Sequence, residues 1–158
     1  MLHELLAVLA SSPVPIALKT SRYVYPVVNA IHIMGLAALF GAIFALDLRL
    51  LGAFTSVPAH SLATILPRVA ACGLAVAVAS GLLLFSASPF DYVANRAFLA
   101  KVSLVLIGTL HAIWVHMTSG WRDFLSGPGT IGGGLRVSAA ISLLAWSGAI
   151  LAGRFIAF

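Results

Sequence analysis

From Val24 to Leu46 the chain carries no formal charge when histidine is neutral, reading VYPVVNAIHIMGLAALFGAIFAL. A helix of about 20 such residues crosses the roughly 30 Å of hydrocarbon in a bilayer and satisfies its backbone groups internally. A first span is therefore predicted over residues 21–50. Three later apolar runs predict spans over about 62–85, 97–118 and 135–155. Only 8% of the 158 residues are charged and 61% are hydrophobic. A soluble domain carries about a quarter charged residues. The expected architecture is all-α: a four-transmembrane-helix bundle forming a single integral membrane domain over 1–158.

A short interfacial helix is expected over 2–9, where Leu2, Leu5, Leu6 and Leu9 recur at helical spacing. Ser11, Ser12, Pro13 and Pro15 read as its end. The segments 52–61, 86–96 and 119–134 read as loops, the last rich in glycine. Two small-residue rows run along the second span: Ala71, Ala75, Ala79 and Gly73, Ala77, Gly81. Either allows close helix approach.

Four spans place both termini on one side of the bilayer. Lys19, Arg22, Arg96, Lys101 and Arg154 lie on that side, against Arg49, Arg68, Arg122 and Arg136 on the other. Five basic residues against four point to cytoplasmic termini. The formal charge of +5 is scattered singly at the ends of apolar runs. It predicts the lipid bilayer as partner and no nucleic acid. The oligomeric state stays open. Cys72 is the single cysteine, which excludes an intrachain disulfide and a Cys-x-x-Cys-His covalent haem site.

Histidines carry the candidate chemistry. His32 lies about ten residues into the first span and His111 about fourteen into the third, so their depths differ by about 6 Å at 1.5 Å per residue. His60 and His116 lie near the far surface. An ionisable group inside a span is a site candidate by default. Two histidines on facing helices, beside small residues such as Gly35 one turn from His32, suit a non-covalent haem b. His32 with His111 is the first pairing, and His60 with His116 a second. Copper is an alternative, since Met34 and Met117 lie near His32 and His116. A non-catalytic membrane subunit or scaffold, using these residues only for packing, is another. Arg49 and Arg68 are candidate contacts for a quinone or a haem propionate, and Asp47 for an ion pair with Arg68 or Arg136. No HExxH, catalytic triad, paired carboxylates or dinucleotide fingerprint occurs, which argues against a hydrolase. The leading expectation is a b-type cytochrome-like electron-transfer protein exchanging electrons with a quinone or a redox partner protein.

The runs YPVVNAIHIMGLAALFGAIFALDLRLLG and NRAFLAKVSLVLIGTLHAIWVH resemble a family of small, largely uncharacterised bacterial four-helix membrane proteins. The matching features are Tyr25-Pro26, His32 with Gly35, the Asp47 to Gly52 motif, then Asn95, Phe98, Lys101 and His116. Asn29 and His111 depart from that pattern, where a glutamate and an asparagine are expected. The resemblance covers nearly the whole chain and implies a fold, with no established reaction. A looser likeness, in architecture and intramembrane histidines alone, is to b561-type cytochromes and copper-resistance membrane domains.

Overall fold

The structure, a computed structural model, describes residues 4, 6–8, 11–126 and 130–156. Of the interfacial helix expected over 2–9, residues 4 and 6–8 are described, and they are helical. Four helices are long and apolar enough to cross a membrane: α2 (Val24–Leu51), α3 (Ala59–Ala87), α5 (Arg96–Met117) and α7 (Gly133–Phe155). Even the shortest, with 22 residues, is about 33 Å long. Large side chains such as Leu82, Leu106, Leu144 and Leu151 face outward along them, as a lipid-facing surface requires.

Three short helices occupy segments that read as breaks or loops. They are α1 (Pro13–Thr20), α4 (Pro89–Ala94) and α6 (Ser119–Ser126). Pro13 and Pro89 open helices rather than ending them, because the first turn does not need the missing N–H. Helix α6 is amphipathic, and its Trp121 and Phe124 are buried.

The long helices pack in the order α5–α7–α2–α3. Helices α2 and α3 run against each other over most of their length, and α7 bridges α2 and α5. Helix α5 never brings its Cα trace within 8 Å of α2 or α3. The bundle is therefore open along its middle, between α3 and α5.

Glycines set the two tight crossings. A Cβ on Gly73 would lie 2.5 Å from the Leu39 nitrogen, and one on Gly35 would lie 2.8 Å from the Ala77 nitrogen. Backbone meets backbone there, as small-residue interfaces in membranes permit. Of the two small-residue rows on α3, Gly73, Ala77 and Gly81 face α2, while Ala71, Ala75 and Ala79 point outward. On the other side, Gly108 of α5 receives the Trp146 indole of α7, whose Cε2 would be 2.9 Å from an added Cβ.

The helix ends are fixed by local chemistry. Asn95 caps α5, its Oδ1 accepting from the Ala97 and Phe98 amides at 2.9 and 3.2 Å. Its Nδ2 donates to the Ile156 carbonyl at 3.1 Å, tying the start of α5 to the end of α7. Helix α2 stops at Gly52, whose φ of 110° is left-handed. The Gly52 amide donates to the Arg49 carbonyl and the Ala53 amide to Leu48, a Schellman ending. Arg49 Nε then donates to the Val57 carbonyl at 2.7 Å and staples the following loop.

Candidate functional site

Two cavities lie along the open middle of the bundle. The larger, about 970 Å3, takes residues 25–40 of α2, the second half of α3 and the first turns of α5. It lies at the end of the bundle where α2 begins and α7 ends. The smaller, about 540 Å3, takes residues 39–50 of α2, the first half of α3, the last turns of α5 and the start of α7. Leu39, Leu74 and Trp146 line both cavities and form the layer between them. Both volumes fall in the range of about 300–1,000 Å3 typical of ligand pockets.

His32 opens onto the larger cavity. Its Nδ1 is 2.9 Å from the Ala77 carbonyl and 3.1 Å from Ser80 Oγ. A carbonyl only accepts, so Nδ1 carries the proton and Nε2 the lone pair. Ser80 Oγ itself donates to Val76 at 2.6 Å. The imidazole lies on Gly81, where an added Cβ would be 3.1 Å from its Cε1. No described residue hydrogen-bonds Nε2, and that atom is not sealed away. Lys101 and Arg154 line the same cavity, with Tyr25, Asn29 and Tyr92. The Lys101 stem packs along Gly153, with Cδ 3.4 Å from an added Cβ. A ring cluster closes one wall: Phe85 stacks on Phe98 at 5.5 Å, and Tyr92 meets both at 6.0 and 5.1 Å. Tyr92 lies in α4, outside the spans, and burial beside Tyr25 pushes its phenol above the ordinary value.

The smaller cavity holds Asp47, Arg68, His111 and His116. His111 Nε2 and Ser138 Oγ share a hydrogen bond of 3.1 Å. His116 is exposed; its Nδ1 donates to the Ala112 carbonyl at 2.7 Å, and its ring lies 4.5 Å from that of Trp121. Asp47 is 6% exposed. The Ser142 hydroxyl faces its carboxyl group, and Oδ2 has no hydrogen-bond partner. An unsatisfied buried oxygen costs about 1–3 kcal/mol, more when charged. The expected ion pairs from Asp47 to Arg68 or Arg136 are not made. Arg68, two turns into α3, is exposed where it lines this cavity.

The expected residues thus separate. His32 lies in one cavity and His111 with His116 in the other, so the His32–His111 pair is not brought together. His60 is exposed on the first turn of α3 and lines neither cavity, and it does not meet His116 there. Gly35 is filled by the α3 backbone, which leaves no space over it for a macrocycle. Arg49 lines neither cavity, and its Nε is bonded to Val57 in the following loop. No three histidine, cysteine, aspartate or glutamate side chains come together among the described residues. Residues that the sequence reading left to packing complete both sites: Ala77, Ser80 and Gly81 around His32, Ser138 and Ser142 beside His111 and Asp47. Ala77 and Gly81 carry a sequence signal in the row they form with Gly73, and Ser80 lies in neither small-residue row of α3.

Residues 12–158 match DUF6644, a family of unknown function, and the chain belongs to that family. No curated protein and no solved structure matches the chain.

Proposed function

Starting from that membership, we propose that this member of DUF6644 is a b-type electron-transfer protein of the bacterial inner membrane. Haem b sits in the larger cavity with His32 as its protein ligand, and both termini are cytoplasmic. One observation carries the reading. The His32 Nδ1 proton is committed to the Ala77 carbonyl, and Nε2 is left available toward a cavity of about 970 Å3. Metal-binding histidines almost always donate their other ring N–H in this way, which fixes tautomer and ring orientation. Ser80 and Gly81 hold the imidazole in place, and Lys101 offers a cation to the ring's carboxylates. Haem iron supplies a one-electron couple when bound, tuned by its axial ligand and by burial. The electron partner is a membrane quinone or a redox protein.

A second reading has its own support. The same two hydrogen bonds pin α2 to α3, which is what a scaffold would ask of His32. The reduced-minus-oxidised spectrum of full-length protein, purified from cells with ample haem, separates the two. About one haem per chain with a reducible band is the expected result. Protein that is folded, monodisperse and colourless overturns the proposal in favour of the scaffold.

A further inference from the structure

Lys101 stands in the second turn of α5, half-buried, and lines the larger cavity. Among the described residues, none hydrogen-bonds it or forms an ion pair with it. Asp91 lines the same cavity and does not pair with it. Ionisable groups inside spans usually pair with one another or mark the path of a ligand. Gly153 leaves the room in which the lysine stem lies, with Cε and Nζ each 3.5 Å from an added Cβ. The ammonium is thereby kept at the cavity wall beside α7. Polarity is graded along the cavity. Tyr25, Asn95 and Lys101 line its outer end, and Leu39, Leu74 and Trp146 close its inner end. One long side is open. Helices α3 and α5 do not meet, and Leu82 and Val102, which line the cavity from those two helices, are exposed. An apolar body from the bilayer can therefore reach inward while a charged head stays near the surface. One ammonium answers one negative charge, which suits a carboxylate better than a doubly charged phosphate.

We propose that Lys101 makes the larger cavity a site for an apolar molecule that ends in a carboxylate. Haem, through its propionates, and a free fatty acid share that chemistry. Haem as the occupant rests on the reading above. The carboxylate preference rests on Lys101 and the graded wall, and it needs no iron.

The test titrates the full chain, purified in a non-ionic detergent from haem-limited cells, with two matched pairs of ligands. One pair is iron-free protoporphyrin IX and its dimethyl ester, the other palmitate and methyl palmitate. For at least one pair the wild type should prefer the acid. The acid-to-ester affinity ratio should fall by about tenfold or more in Lys101→Met, the worth of one charge-assisted hydrogen bond. Lys101→Arg should keep the preference. Comparing the ratio between variants cancels the different uptake of acid and ester by detergent. Thermal midpoints show each variant folded, and Lys101→Gln replaces Lys101→Met if that one is not. A preference shown by the porphyrin pair names haem as the source, and one shown by the palmitate pair alone names a fatty acid. A ratio that folded Lys101→Met leaves at the wild-type value for both pairs, or no saturable binding of either acid, overturns the site. The haem band of protein from haem-replete cells tells the two readings apart. Colourless protein with the acid preference removes the haem reading alone, and haem-loaded protein with an unchanged ratio removes this one.

Discussion

At the end of the bundle where α2 begins and α7 ends lies the larger cavity, with polar groups tied to neighbouring helices around it. His32 is hydrogen-bonded to α3, Asn95 ties α5 to α7, and a ring cluster walls the cavity. Beyond the layer of Leu39, Leu74 and Trp146 the packing tightens. Helix α6 presses Trp121 and Phe124 into a core with Leu46, Leu50, Ala63 and Leu135. That tighter half is the one holding a stranded carboxyl oxygen. The contrast teaches that free volume and a stranded, buried acceptor mark different halves of the bundle. The larger cavity is recognised by its available imidazole nitrogen and its size, the tighter half by an oxygen that the protein leaves unsatisfied.

The sharpest way to break the comparison is to remove the crossing that both halves share. Gly73→Leu drives a side chain into the α2 backbone at Leu39, which cannot move aside as a side-chain tip could. A loss of about 3 kcal/mol or more, or no monodisperse protein, is expected in thermal unfolding in detergent. Ala75→Leu, on the outward row of the same helix, should stay within about 0.5 kcal/mol. Equal damage from both would mean that the inner row does not make the contact.

Asn95→Ala should have a smaller and one-sided effect. It removes the α5 cap and the tie to Ile156, at a cost of about 1 kcal/mol. Faster hydrogen exchange is expected at the start of α5 and the end of α7, with α6 and the start of α7 unchanged. Exchange that quickens equally in both halves would show that the layer does not divide them.

Much of the frame was legible before the structure. The span limits shift by three residues or fewer, because long uncharged runs leave a membrane helix little choice. Gly52 was legible as the end of a motif, and its left-handed φ explains why glycine stands there. The short helices were not, since a proline after a serine, as at Pro13 and Pro89, suits a break and a first helical turn alike. Depth alone could not reveal that Leu39, Leu74 and Trp146 would stand between the spaces they line. Nor could the sequence choose between the two small-residue rows of α3, because both have the same spacing and only the position of α2 distinguishes them.

The most direct test of the central claim is the reduced-minus-oxidised spectrum of two variants made side by side in haem-replete cells. His32→Ala should lose the haem band, because it removes the nitrogen offered to the larger cavity. His111→Ala should keep the band, because His111 belongs to the other cavity. Loss of the band in both variants would mean that one haem spans the layer. Loss only in His111→Ala, or in neither, would place the cofactor away from His32, and each of these results would contradict the account.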